Sequence, residues 1–294
     1  MNKIKKVIIP AAGLGTRMLP ATKAIPKEML PVLNKPIIQY IVEEVIYAGL
    51  NEIILVTHSS KNAIEDHFDK SFELEATLEK RVKRGTLREI REISKLNISI
   101  QSIRQGEAKG LGHAILCAKR LIGKEPFAVI LPDMLISNEN GDAGDSLKEM
   151  KLNFEKHEIS SILLGKAKKA DIPKYGIAQI KKNSKLPGLG FVEKIIEKPS
   201  IRKAPSNLYA VGRYIFKNDF FEYLSKVEPD KSNEIQLTDA MGNYIKDSNK
   251  INAYLSEGRI FDCGDNVGYL LANLEFAMKN PLIKDEIKNY LKTR

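Results

Sequence analysis

The stretch "IIPAAGLGTRMLP" at residues 8–20 ends an apolar run in small residues and then sets Arg17 beside them. Ala11, Ala12, Gly13 and Gly15 leave the backbone unobstructed, so successive N–H groups can form an anion-binding concavity. The Arg17 guanidinium adds a fixed fork of donors that matches phosphate oxygens. Downstream, "KAIPKEMLP" at 23–31 places Lys23, Lys27 and Glu28 among prolines that hold the segment extended. This is the chemistry of a polyphosphate site. Two better-known phosphate loops do not fit. A dinucleotide fingerprint needs a third small residue where Met18 stands, and an acid about twenty positions on, where proline-punctuated sequence lies instead. The nucleoside-triphosphatase loop needs a Gly-Lys-Ser/Thr run, which is missing after these glycines.

Other residues offer less by themselves. Asp133 follows the apolar run Phe127 to Leu131, where a carboxylate can be a turn residue or a ligand for a hard cation. His113, between Gly112 and Ala114, is placed for a structural role at a helix start rather than as a base. The basic runs Lys80–Arg84 and Lys166–Lys169 read as solvated surface. The 47 basic and 37 acidic residues leave a net charge of +10, which suits an anionic ligand. Without zinc-finger spacing, an aromatic-basic RNA signature or any Trp, nucleic acid is not the expected partner. Cys117 and Cys263 lack metal-ligand spacing and fit a reducing, cytoplasmic setting. The basic N-terminus only faintly imitates a signal peptide, because Pro10, Gly13, Gly15 and Arg17 break its apolar stretch. No run reaches the apolar length of a membrane span.

The elements that must position these residues alternate in the first half. Val7 to Ile9, Ile53 to Val56, Ile98 to Ile103 and Phe127 to Leu131 are short apolar strands. Between them lie a helix through Ile37, Ile41 and Val45, with Pro36 at its start and Gly49 past its end, and one around Ala63 to Phe68. A long charged helical stretch over Leu74 to Ser94 and a helix over Leu111 to Leu121 follow. From about residue 159 the texture turns to strand-like runs, at Ile159–Leu164, Gly176–Ile180, Phe191–Glu197 and Leu208–Phe216. Helical signals return at Asp219–Leu224, Val267–Met278 and Leu282–Leu291. The expected fold is α/β: one Rossmann-like open mixed, mostly parallel sheet with helices on both faces. It forms a single domain over 1–294, with halves at about 1–158 and 159–294. Ligands of such sheets bind at the carboxyl ends of the strands, which gathers the loops after Ile9, Ile103 and Leu131.

At this point the residues resemble a family. "PAAGLGTRMLPATKAIPKEMLPV" is similar to the signature of the sugar-1-phosphate nucleotidylyltransferases, and "KEMLP" resembles the bacterial UTP–glucose-1-phosphate uridylyltransferases among them. "RQGEAKGLGHAI", "FAVILPDM", "KYGIA", "EKP", "PSNLYAVGRYIF", "NEIQLTDA" and "FDCG" follow in order, so the likeness covers about residues 4 to 276. It departs at Ser137–Asp145, Lys182–Gly190 and the final turns, where loop length varies.

The resemblance implies a reaction of UTP with glucose 1-phosphate that gives UDP-glucose and pyrophosphate. It implies that Arg17 and Lys27 hold the triphosphate, and that Ala12 and Gly13 touch the nucleotide by backbone. Glu28, Gln105 and the backbone of Gly110 would read the uracil edge. Asp133 would bind Mg²⁺, with Asp262 a second metal ligand. On the sugar side it assigns Gly176, Glu197, Lys198 and the backbone near Val211, with Lys198 meeting the sugar phosphate. A homo-oligomer, dimer or tetramer, is the expected assembly. The alternatives are a thymidylyltransferase for the same sugar phosphate, against which Met29 and the Gly110–Gly112 context argue, and a catalytically silent nucleotide-sugar-binding regulator.

Overall fold

The computed structural model describes residues 3–293 apart from 60, 95, 97, 140 and 184. The apolar runs form nine strands of one sheet: β1 (Lys6–Pro10), β2 (Glu52–Thr57), β3 (Ser99–Arg104), β4 (Phe127–Ile130), β5 (Ser160–Lys166), β6 (Ile177–Lys182), β7 (Gly190–Ile196), β8 (Leu208–Phe216) and β9 (Ile251–Leu255). Their order is β3-β2-β1-β4-β8-β5-β9-β7-β6. The first four strands pair in parallel, as helical crossovers require. β9 is also parallel to β5, whereas β8 runs antiparallel to β4 and β5, and β7 antiparallel to β6 and β9. Antiparallel ladders are therefore more numerous than the sequence pattern suggests. One of them, β6 with β7, is a pair of consecutive strands joined by a turn, and the others bring together strands distant in sequence.

Alternation along β1 shows how the sheet is buried. Val7 and Ile9 enter one apolar cluster and Ile8 the other, one on each face. The Ile37–Tyr47 and Asp145–His157 helices cover the first face through Ile38, Ile41, Leu147 and Met150. The Gly110–Cys117, Phe220–Leu224 and Leu237–Lys246 helices cover the second through Ile115, Phe220 and Met241.

Two expected helices are divided. The charged stretch forms Phe72–Lys80 and Arg84–Ser94, separated by a turn in which Val82 takes φ 56°. The helix over Leu111–Leu121 breaks at Ala118 into Gly110–Cys117 and Lys119–Ile122. A two-stranded antiparallel ribbon, Met134–Ser137 with Arg259–Asp262, has no counterpart in the sequence expectations. It brings the chain after β4 beside the chain after β9. Among the described residues no helix is long and apolar enough to cross a membrane.

Candidate active site

The loop after β1 begins with buried Ala11, whose N–H donates to the Val56 carbonyl at 2.8 Å and extends the ladder one residue beyond the strand. Ala12 is buried too, whereas Gly13 is exposed, with open space where a Cβ would stand. Gly15 takes φ 66°, a left-handed conformation that glycine adopts without steric cost, and its carbonyl accepts from Thr22 Oγ1 at 2.7 Å. Buried Met18 then anchors the Thr16–Met18 turn and leaves Arg17 exposed beside the cleft.

Four of the expected residues meet here. Lys27 Nζ pairs directly with Asp133 Oδ2, both side chains being about 15% exposed. Arg17 Nη1 lies 3.4 Å from Asp262 Oδ2, which also accepts from the Tyr175 hydroxyl at 3.4 Å. The ribbon juxtaposes the two aspartates: Asp262 is in register with Met134, and the Cys263 N–H donates to the Asp133 carbonyl at 2.7 Å. Gly264 closes the arrangement. A Cβ on it would lie 2.5 Å from Arg17 Nη2, 2.9 Å from Asp262 Oδ1 and 3.0 Å from Asp133 Oδ2. Two carboxylate oxygens and a guanidinium nitrogen thus converge beside Gly264, where the absence of a side chain leaves them room.

The electrostatics follow from this crowding. Burial opposes the charge of Asp133, but Lys27 and then Arg17 outweigh it and hold its carboxyl below the ordinary range. Lys27 is displaced upward because Asp133 and Glu28 overcome the effect of burial. Asp262 is pushed up by burial and by the negative charge of Asp133, with Arg17 opposing. Two neighbouring carboxylates with unequal proton affinity result.

On the nucleotide side, Gln105 follows β3 and its N–H donates to the Thr57 carbonyl at 2.9 Å. Its side-chain amide donates to the Gly110 carbonyl at 3.1 Å and lies 3.0 Å from His113 Nδ1, so His113 orients Gln105 and gains a structural role. With Nε2 engaged, Oε1 is the atom left to accept from a base. Gly110 takes φ 82°, and a Cβ there would strike Glu234 at 2.8 Å, so the "NEIQLTDA" segment packs directly on this turn. The Glu28 side chain is 0% exposed and its Oε2 pairs with Lys61 Nζ at 2.8 Å, while Oε1 has no partner from another described residue. Burial pushes Glu28 up and Lys61 down.

On the sugar side, Glu197 directly follows β7 and accepts from Thr238 Oγ1 at 3.2 Å. Burial raises its carboxyl, with Lys198 opposing. Lys198 is 59% exposed, takes φ 42°, and donates its backbone N–H to the Tyr175 carbonyl at 3.0 Å. A Cβ on Gly176 would meet Thr238 and Glu197 at 3.0 and 3.1 Å. Val211 is buried in an irregular segment of β8, beside Gly212 at φ 83°. One cleft of about 510 Å³ joins Arg17, Asp133 and Asp262 to Gly176, Glu197 and Lys198.

Sequence reasoning did not single out Lys61, Gly264 or Thr238. The last two stand inside "FDCG" and "NEIQLTDA", where each motif's carboxylate or neighbour drew the attention. Lys61 follows the carboxyl end of β2, the edge where ligands of such sheets bind, and that position is its signal.

The chain matches the nucleotidyl transferase family over residues 6–279. It is 48% identical, over 99% of this chain and 96% of the relative, to a UTP–glucose-1-phosphate uridylyltransferase of Escherichia coli (strain K12). A UTP-bound UGPase from Acinetobacter baumannii has a similar structure, with a TM-score of 0.88, 40% identity and 98% of each chain covered. A UDP-glucose pyrophosphorylase complexed with UDP-glucose gives a TM-score of 0.83 at 41% identity, covering 94% of this chain and 100% of that one.

Proposed function

This chain belongs to the nucleotidyl transferase family, and on that premise we propose how its cleft transfers UMP from UTP to glucose 1-phosphate, giving UDP-glucose and pyrophosphate. A phosphate oxygen of the sugar phosphate forms a bond to the α-phosphorus. The bond from that phosphorus to the bridging oxygen breaks, and pyrophosphate leaves with the electron pair. A phosphate monoester is already nucleophilic, so no general base is needed. The chain must align two anions and offset their repulsion.

Arg17 and Lys27 bind the triphosphate and steady the departing pyrophosphate, while the backbone at Ala12 and Gly13 approaches the nucleotide. Gln105 Oε1 and the Gly110 turn meet the uracil, and Glu28 acts from beneath. Glu197 accepts from glucose hydroxyls beside Gly176 and the Val211 backbone, and Lys198 meets the sugar phosphate.

The neighbouring carboxylates of Asp133 and Asp262 fit a divalent cation. They offer hard oxygens whose present partners are the Lys27 ammonium and the Arg17 guanidinium, and among the described residues no group of three His, Cys, Asp or Glu could hold a metal alone. Phosphate and water must complete the shell, which is the habit of Mg²⁺. Asp133 and Asp262 would hold Mg²⁺, which would neutralise phosphate charge and orient phosphate oxygens. Both cysteines are free, which supports the reading of a cytoplasmic setting. Exposed Val267, Leu270 and Leu271 on the Asn266–Lys279 helix support a homo-oligomer.

The observation that carries the reading is the single cleft uniting the Arg17–Asp262 end with the Glu197–Lys198 end. Pyrophosphate release from purified protein with Mg²⁺ and glucose 1-phosphate, compared across UTP, dTTP, CTP and ATP, tests it. UTP should be turned over fastest. Equal or faster turnover of dTTP would favour a thymidylyltransferase.

A further inference from the structure

Lys61 has no place in the transfer so far, yet it is 5% exposed and its ammonium lies 2.8 Å from Glu28 Oε2. A lysine is rarely enclosed without a task, because desolvating its charge is costly unless a partner compensates. What Lys61 reaches is the short Lys27–Met29 turn, whose only buried residue is Glu28. The turn closes its backbone through Met29 N–H to Pro26 O at 2.8 Å and Leu30 N–H to Lys27 O at 3.2 Å. Lys27 and Glu28 are consecutive, and each goes to a different element. Lys27 meets Asp133 after β4, and Glu28 meets Lys61 at the start of the Asn62–Phe68 helix. Lys61 is itself fixed, since its N–H donates to the His58 carbonyl at 3.0 Å and its carbonyl accepts from Ile64 at 3.1 Å. The Lys27 turn is therefore clasped from below by one enclosed ion pair.

We propose that Lys61 is a positioning residue for the transfer reaction, fixing through Glu28 the turn that presents Lys27 to the phosphates. The proposal rests on the reading of Lys27 as a triphosphate-binding residue. Oε1 of Glu28 is enclosed with no partner from another described residue, so the ion pair at Oε2 is the contact that ties this carboxylate to the Asn62–Phe68 helix. Losing the ammonium would leave the buried carboxylate without its hydrogen-bonded cation and with only the more distant charge of Lys27, and the turn would move to hydrate it.

The test is a cycle of Lys61→Met, Lys27→Ala and the double variant, each measured for kcat, both KM values and melting temperature. Lys61→Met should raise KM for UTP and lower kcat, costing at least about tenfold in kcat/KM, with KM for glucose 1-phosphate within about twofold. In the Lys27→Ala background, Lys61→Met should cost less than about twofold more, because what it positions is gone. A lowered melting temperature with unchanged kinetics would make Lys61 merely structural, and an equal kinetic cost in both backgrounds would also overturn the proposal. If Lys61→Met does not fold, Glu28→Gln/Lys61→Met removes both charges and enters the same cycle. Wild-type kinetics in Lys27→Ala alone would instead withdraw the role given to Lys27, and the Lys61 proposal with it.

Discussion

Lys27 is paired with the carboxylate proposed for the metal, so cation and metal compete for Asp133. Phosphates would draw Lys27 away, which makes metal and nucleotide binding mutually favourable. Without nucleotide, Lys27→Met should bind Mg²⁺ about tenfold more tightly than the wild type by calorimetric titration, though turnover falls; tenfold corresponds to about 1.4 kcal/mol. Asp133→Asn should lose that binding. Unchanged affinity in Lys27→Met would mean that the lysine does not compete. Glu197 carries a second residue-scale prediction. Its carboxyl lies above the usual glutamate value of 4.5 because burial outweighs Lys198. A raised carboxyl contributes stability below pH 4.5, and this is lost as pH rises through the folded value, so the ionised form costs stability at neutral pH. Glu197→Gln should therefore melt no lower than the wild type at pH 7 while its KM for glucose 1-phosphate rises. A clearly lower melting temperature would refute the sign. Arg17, Lys27 and Asp133 were legible because glycine, proline and strand-end context marked them. Lys61 was not, since its partner lies 33 positions away and no local spacing encodes that contact.

At the scale of elements, β8 and the Ile37–Tyr47 helix are joined by a wholly enclosed ion pair. Arg213 Nε donates to Glu44 Oε1 at 2.9 Å and Nη2 to Oε2 at 2.5 Å, with both side chains at most 2% exposed. Arg213 Nη1 also donates to the Val211 carbonyl at 3.3 Å, which fixes the irregular part of β8 beside the sugar pocket. Arg213→Met should cost about 3–5 kcal/mol in urea unfolding, because Glu44 is left buried and unpaired. Replacing both residues, as Arg213→Met/Glu44→Leu, should recover most of that loss. If the single variant costs no more than an ordinary surface change, the pair does not hold the helix. The first four strands were readable from short apolar runs separated by helical patterns. The ribbon that presents Asp133 and Asp262 was not, because Met134–Ser137 and Arg259–Asp262 are four residues each and pair across more than a hundred positions. The divided charged helix escaped because the nearest glycine, Gly85, lies inside the second helix and not at Arg81–Lys83, where the chain turns.

For the whole molecule, the change of texture near residue 158 suggests two halves, whereas the packing argues for one cooperative unit. β4 and β8 pair across that division, from Arg213 with Ile130 to Phe216 with Phe127. Both apolar clusters also span it: one holds Ile9 with Leu163 and Tyr209, the other Ile8 with Ile162 and Met241. Neither half could keep its inner strand edge and its share of both clusters covered alone. We therefore expect residues 1–294 to unfold as a single domain, although chains of this length often populate intermediates. Tyrosine supplies a selective probe, because the chain has no Trp and, of its ten Tyr, only Tyr40 and Tyr47 precede residue 158. Tyrosine emission thus follows mainly the second half, while far-UV circular dichroism follows both. The two urea transitions should coincide, and saturating UTP should shift them together by mass action. Separate midpoints, or a fragment 1–158 that folds and unfolds cooperatively by itself, would show that the shared sheet does not bind the halves into one unit.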